Sequence, residues 1–150
     1  MKRQAGIGLI EVLVALLIIS LGLLGFASLQ VANLNVGDTA WSRSSATLLA
    51  SDLLDRARIN RTQYLAGAYD HGFGEAAPSS TDCRLNLCTP AQLSRFDLNQ
   101  WLNQVSDSLP DGQGQVSRDT SMSPSVLIVQ VRWFDRLEQS NQTLELRAQL

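Results

Sequence analysis

The stretch GIGLIEVLVALLIISLGLLGFASL, residues 6–29, decides the fold of this chain. Within it, Val12 to Leu29 form an 18-residue run without a charged side chain. A helix rises about 1.5 Å per residue, so this run covers about 27 Å, close to the roughly 30 Å hydrocarbon core of a bilayer. Its leucines, isoleucines and valines surround the whole helix axis, whereas a helix on a small soluble core is apolar on one face. The run therefore predicts a transmembrane helix.

The composition of the whole chain limits the classes of function. The chain has 150 residues, with 12 Lys and Arg, 14 Asp and Glu, one His, two Cys and a formal net charge of −2. This length suits a single domain. The charge excludes the basic surface of a nucleic-acid-binding protein, and one His with two Cys gives too few ligands for a structural zinc site. We therefore expect no nucleic acid, no metal and no cofactor.

The charges around the apolar run predict its orientation. Lys2 and Arg3 precede the run, and the next basic residue is Arg43. By the positive-inside rule, the N-terminus then faces the cytoplasm and most of the chain lies on the other side of the membrane, which is an N-in, C-out topology. No small-x-small cleavage site follows the run, so we expect no cleavage behind it.

Glu11 is the unusual residue at the start of this helix. A carboxylate in a membrane helix costs about 2.5 kcal/mol or more at the bilayer centre unless it is paired. One interpretation gives Glu11 a cationic partner, and the other lets its carboxylate reach the headgroups unaided. The residues alone leave both interpretations open.

The segment GIGLIEVLVAL, Gly6 to Leu16, resembles the class III leader junction of type IV pilins and pseudopilins. The resemblance implies a leader, residues 1–6, that a prepilin peptidase cleaves between Gly6 and Ile7, followed by N-methylation of Ile7. It also implies that Glu11 docks the subunit by pairing with the terminal amine of a neighbouring subunit. The family usually has Phe at the first mature position, where this chain has Ile7.

Further segments resemble PilV-type minor pilins, also called type IV pilus modification proteins. They are Ala46 to Arg61, Asp82-Cys83, Cys88-Thr89-Pro90, Phe96-Asp97, Trp101 and Leu109-Pro110-Asp111-Gly112, in the order of that group. The resemblance implies the type IV pilin fold and a minor subunit that helps start the pilus near its tip, in support of twitching motility and adhesion. The implied partners are other minor pilins, the major pilin and a tip adhesin. The implied location is the inner membrane before assembly and the periplasmic and extracellular pilus afterwards.

Two other functions stay open. A minor pseudopilin of a type II secretion system would share the leader and the helix. A membrane-anchored periplasmic enzyme or ligand-binding domain is the other alternative, but Asp70, His71 and Ser79 lack the Gly-x-Ser-x-Gly elbow of a hydrolase. We therefore expect no enzyme activity, and we expect His71 to face solvent.

The helical pattern continues beyond the apolar run. Residues 7–30 are assigned to the membrane and fibre-core half of one helix, residues 31–66 to an amphipathic half, and residues 67–150 to a head outside the membrane. Apolar residues recur at helical spacing and predict a stripe that faces a partner layer: Leu34, Trp41, Leu48, Leu49, Leu53 and Ala57. Asp52 and Arg56 are spaced for an ion pair and are expected on a solvated face.

The first half of the head contains a cysteine loop, followed by the predicted N-terminus of a helix. Cys83 and Cys88 are five positions apart and lie on the oxidising side of the membrane in the expected topology, so a disulfide is favoured over two free thiols or a thin metal site. Thr89, Pro90 and Gln92 form a capping-box start. The helix that follows is predicted to bury one face, which carries Leu98, Trp101, Leu102, Val105 and Leu109.

The last third of the chain predicts strands. One is centred on Val116, one runs from Val126 to Phe134, and one runs from Thr143 to Leu150. In the last strand apolar and polar residues alternate, which is typical of an antiparallel sheet with one buried face. In the middle strand Val129, Val131 and Trp133 are predicted to face the helix. The predicted fold class is α+β, with the long N-terminal helix packed against a small antiparallel β-sheet.

Overall fold

The computed structural model describes residues 8–121 and 124–149. The chain divides into two compact units, residues 1–38 and 39–150. Helix α1, Leu9–Ile59, has 51 residues and contributes to both units. Gly6 and Ile7, the predicted cleavage pair, lie outside the described residues.

Helix α1 ends at Ile59, and a short helix α2, Arg61–Leu65, follows after one residue. Asn60 separates them with φ −102° and ψ 46°, which is not helical. Its side-chain amide donates a hydrogen bond of 2.8 Å to the carbonyl of Pro90. The single helix expected as far as residue 66 is therefore two helices, because this distant contact holds Asn60 in a break.

Helix α3, Pro90–Ser108, begins at the predicted capping box. The Thr89 hydroxyl accepts a hydrogen bond from the Gln92 amide at 3.3 Å, and the Gln92 side chain accepts one from the Thr89 amide at 2.9 Å. Leu98, Trp101 and Val105 are buried on one face of the helix, as predicted.

Three strands form one antiparallel sheet in the order β1-β2-β3. The strands are β1, Gln113–Asp119; β2, Val126–Asp135; and β3, Ser140–Gln149. In the central strand alternate residues are buried, including Val129, Val131 and Trp133, as predicted. The α+β fold with a small antiparallel sheet is confirmed, and β3 starts three residues earlier than the prediction of Thr143.

The core of the second unit lies between the sheet, α3 and one face of α1. The face of α1 that is buried carries Ser42, Ala46, Ala50, Leu53, Leu54 and Ala57. Most of these residues are small. Trp101 fills the centre, and its indole nitrogen donates a hydrogen bond of 2.8 Å to the carbonyl of Leu49.

Two further sequence expectations are wrong. Of the predicted stripe on α1, Leu53 and Ala57 are buried, but Leu34, Trp41 and Leu48 are exposed. Seven-residue spacing places residues on one face without saying which face the core covers, and the core covers the face with small residues. His71 is 8% exposed rather than solvent-facing, because its backbone pairs with Val116 of β1.

Candidate functional site

The structure describes the predicted N-terminal site from Gly8 onward, and this part includes Glu11. Glu11 lies in the first turn of α1, and its backbone amide donates a hydrogen bond of 2.9 Å to the carbonyl of Gly8. A carboxylate at this end of a helix interacts favourably with the helix dipole. The Glu11 side chain is exposed and makes no ion pair with any described residue. Within residues 8–121 and 124–149, the carboxylate therefore has no ionic partner.

The helix surface that follows Glu11 is apolar and uncovered. One 18-residue window of α1 has a mean hydropathy of 2.7, and none of that window is buried within the structure. The hydroxyls of Ser20 and Ser28 donate hydrogen bonds to the carbonyls of Leu16 and Gly25, at 2.7 and 2.8 Å. Because the polar groups of these serines are satisfied within the helix, the surface suits a lipid environment.

The cysteine loop is closed by a disulfide between Cys83 and Cys88. The predicted disulfide is therefore present, and the alternatives of free thiols and a metal site are wrong. Asp82 holds the start of the loop, because its carboxylate accepts hydrogen bonds from the backbone amide of Arg84 at 2.9 Å and from the Arg84 guanidinium at 2.8 Å. These hydrogen bonds lower the pKa of Asp82. The loop thus presents Leu85 and Leu87 in exposed positions.

A buried polar cluster joins α1 to the rest of the head. The hydroxyl of Tyr69 donates a hydrogen bond of 2.9 Å to Asp97, and the Arg56 guanidinium lies 3.5 Å from the same carboxylate. Arg56 also forms an ion pair of 2.9 Å with Asp52 and donates a hydrogen bond of 2.6 Å to Gln100. Arg56 was expected on a solvated face of the helix, but it lies in a half-buried contact.

The environment of this cluster shifts the pKa values of two acidic groups. Burial raises the pKa of the Asp97 carboxyl above its ordinary value, against the opposing hydrogen bond from Tyr69 and the charge of Arg56. Burial also raises the pKa of the Tyr69 phenol, and the Asp97 carboxylate adds to that increase. Sequence reasoning missed this cluster, since Tyr69 and Asp97 are 28 residues apart and no local pattern links them.

Two of the residues considered for a hydrolase, Asp70 and His71, contact other side chains. Asp70 is bound by Arg118 at 2.8 Å, and the nearest carboxylate to His71 is that of Glu75, at 3.5 Å from Nδ1. Among residues 8–121 and 124–149, no three His, Cys, Asp or Glu side chains come together as metal ligands.

Two models of known protein families match parts of this chain. Residues 1–27 match the prokaryotic N-terminal methylation motif, and residues 28–99 match the family described as type IV pilin Tt1218. The two matches together cover residues 1–99 and show that this part of the chain is similar to type IV pilins. Neither the curated proteins nor the solved structures give a match to the chain.

The two family matches cover different parts of the features described above. The methylation motif includes Gly6, Ile7 and Glu11, and the Tt1218-type region includes the disulfide and the start of α3. The leader motif and the apolar helix near the N-terminus fit a membrane-anchored pilin that is assembled into a pilus. The matched pilin family is structural rather than catalytic. The three strands lie outside the matched region, so the sheet is known from the structure alone.

Proposed function

We propose that this chain is a PilV-type minor pilin that helps initiate the type IV pilus in a tip complex. The observation that carries the proposal is the pairing of two features in one chain. An uncovered apolar helix carries Glu11 in its first turn, and its C-terminal part is built into a disulfide-bearing head. A subunit of this design can sit in a membrane and later in a fibre without refolding.

In the proposed pathway each N-terminal residue has one task. A prepilin peptidase cleaves between Gly6 and Ile7, and the new amine of Ile7 is methylated. Glu11 then neutralises the terminal amine of a neighbouring subunit, which removes the cost of burying either charge alone. The methylation-motif match over residues 1–27 supports these assignments.

The proposed organisation has four parts. The leader is residues 1–6, the membrane and fibre-core part is residues 7–30, and the outer helical part is residues 31–66, which includes the rest of α1 and the short helix α2. The head, residues 67–150, faces the periplasm in an N-in, C-out topology and chooses partners among the other minor pilins, the major pilin and a tip adhesin. The chain has a structural role and performs no catalysis.

A clean deletion tests the pilus role. We expect loss of the chain to reduce the number of surface pili and twitching motility, since fewer fibres are started. Pili are counted by electron microscopy, and the chain supplied from a plasmid restores the count. In the same strains, secreted proteins are measured in the periplasm. An unchanged pilus count with secreted proteins retained in the periplasm would instead assign the chain to a type II secretion pseudopilus.

A further inference from the structure

The cysteine loop, residues 83–88, holds two leucines in solvent. Leu85 is 83% exposed, and Leu87 is fully exposed. The loop is closed by the disulfide, and the backbone amides of Leu85 and Asn86 donate hydrogen bonds of 3.3 and 3.1 Å to the carbonyl of Asp82. A loop that is fixed before binding loses little conformational entropy when it docks. The two leucines therefore form a preformed apolar anchor for another surface.

A groove between α1 and α3 offers a surface on which such an anchor can dock. It is lined by Leu48, Leu49, Asp52, Arg56, Gln104 and Ser108. Leu48 is 72% exposed, although its side chain is large and apolar. The groove has a volume of about 400 Å³, which is that of about 13 water molecules in the liquid. It therefore has room for two leucine side chains.

Helix α3 sets the distance between the loop and the groove. Pro90, its first residue, follows the loop by two positions, and Gln104 lines the groove. These two residues are fourteen positions apart, which is about 21 Å along the helix axis. Two copies of the chain that lie in one membrane or one fibre have the same orientation. A copy shifted by about this distance along α3 can therefore bring its loop to the groove of the other.

Two opposite charges on α3 have nearly the same spacing. Arg95 and Asp107 are both exposed, and neither makes an ion pair within the described part of the chain. Arg95 lines a small cleft together with Thr81, which lies near the start of the loop. Asp107 follows Gln104 by three positions on the same side of α3, beside the groove. Arg95 and Asp107 are twelve positions apart, or about 18 Å, so one shift serves both contacts to within about one helical turn.

These two unpaired charges select the occupant of the groove. The ion pairs at the loop and in the groove are formed within one copy, so they do not favour any partner. Arg95 and the loop lie towards one end of α3, and Asp107 and the groove lie towards the other. Because one chain carries both halves of the contact, with opposite charges at a matching spacing, a second copy fits the groove better than an unrelated protein.

We propose that the cysteine loop of one copy docks in the α1–α3 groove of a second copy, and that Arg95 of the first copy pairs with Asp107 of the second. Leu85 and Leu87 enter the groove and contact its leucines. The contact is heterologous, so it leaves one loop and one groove free, and further copies can add in a line. It does not depend on whether the chain serves a pilus or a secretion pseudopilus.

Two charge-reversal variants of the full-length protein in detergent micelles test the contact. Arg95→Asp and Asp107→Arg each place like charges opposite one another when identical copies meet, so self-association should weaken about tenfold. In an equal mixture of the two variants, every contact between unlike copies again pairs opposite charges. Association of the mixture should therefore return to that of the unmodified protein. Sedimentation velocity over a range of protein concentrations gives the dissociation constants.

The mixture separates this contact from a general effect of net charge. A mixture that associates as weakly as each variant alone would overturn the proposal. Unmodified protein that stays monomeric at every concentration would also overturn it. Equal association in every sample would do the same, since the copies would then be joined by their apolar helices alone.

Matched leucine variants test the anchor. Leu85→Ser combined with Leu87→Ser should weaken self-association about tenfold, because the groove then gains no apolar contact. Leu137→Ser changes a leucine that is 52% exposed and lies outside the loop and the groove, and should leave association unchanged. The variants are checked for an unaltered melting temperature. Unchanged self-association of the folded double variant would overturn the proposal, and loss of its binding to phosphatidylglycerol vesicles would then assign the loop to a membrane surface.

Discussion

Two segments of the same helix α1 differ in how their apolar residues are used. From Leu9 to Val36 the large apolar side chains are all exposed, whereas from Ser42 to Ala57 the helix buries a face made mostly of small residues. The first segment needs a membrane or neighbouring subunits to cover it. The second segment is stabilised by its own sheet and α3. Helix α1 thus has two surfaces along its length. We call the exposed apolar surface from Leu9 to Val36 the assembly surface, and the buried face from Ser42 to Ala57 the folding surface.

The largest expected effect concerns the assembly surface. Glu11→Ala should leave leader cleavage intact but reduce incorporation into fibres by about tenfold or more, because a neighbouring amine would then be buried without a counter-charge. Cleavage is followed by the mass of the mature chain, and incorporation by immunoblot of sheared pili.

Asp38→Ala is the matched control for Glu11→Ala. Asp38 is the other acidic residue between Arg3 and Arg43, and it is exposed near the end of the first unit. Its loss should not change incorporation. Normal amounts of the Glu11→Ala variant in sheared fibres would refute the docking role of Glu11.

The next effect compares a glycine of the first compact unit, Gly37, with a glycine of the second unit, Gly114. A Cβ on Gly114 would lie 2.3 Å from the ring of Trp101, which is fully buried, whereas a Cβ on Gly37 would meet no atom within 4 Å. Gly114→Ala should lower the free energy of unfolding by about 2–3 kcal/mol through overpacking. Gly37→Ala should instead stabilise its helix by about 0.5–1 kcal/mol.

Both glycine variants are measured in the full-length protein in detergent. Urea unfolding followed by near-ultraviolet circular dichroism of tryptophan reports on the head, and far-ultraviolet circular dichroism reports on the helix. A Gly114→Ala variant as stable as the unmodified protein would show that Trp101 can move aside, contrary to its packing and its hydrogen bond to Leu49.

A smaller effect concerns the disulfide that closes the cysteine loop of the head. Replacing Cys83 and Cys88 together by Ser should lower the free energy of unfolding by about 2 kcal/mol, because the open loop gains conformational entropy when unfolded. Urea unfolding measures the change. Asp82→Asn, which keeps the disulfide, should cost less. A double variant that loses no stability would show that Asp82 and Arg84 hold the loop without the disulfide.

Much of the fold could be predicted from local patterns in the sequence. The membrane run needs only composition and length, since lipid accepts a helix that is apolar on every side. The capping box at Thr89 and the alternation in β3 are also local, because each depends on residues a few positions apart. These features were predicted correctly.

The features that the sequence did not predict depend on distant contacts. The break at Asn60 requires the carbonyl of Pro90, and the burial of His71 requires the backbone of Val116. Gly114 has no local reason to be glycine, since what it must avoid is the ring of Trp101. The partner of Glu11 is a different case, because it belongs to a neighbouring subunit in the proposed assembly and no single-chain pattern contains it.

The smallest expected effect concerns the pH dependence of the folding surface. Because burial raises the pKa of Asp97 above 3.8 in the folded protein, the folded state holds this proton more tightly than the unfolded state. The stability contributed by that proton is fully present below the unfolded pKa and is lost as the pH rises through the folded pKa. Asp97→Asn cannot ionise and should not lose it, while its side-chain carbonyl can still accept from Tyr69.

The difference in unfolding free energy between Asp97→Asn and the unmodified protein should therefore shift in favour of Asn as the pH rises from about 3 to about 6. Urea unfolding at several pH values measures it. The values at the lowest pH act as an internal control, since Asp97 is then protonated in both states. A difference that stays constant over this range would mean that Arg56 offsets the burial of Asp97 in full, and that the link between α1 and α3 is an ion pair without net cost.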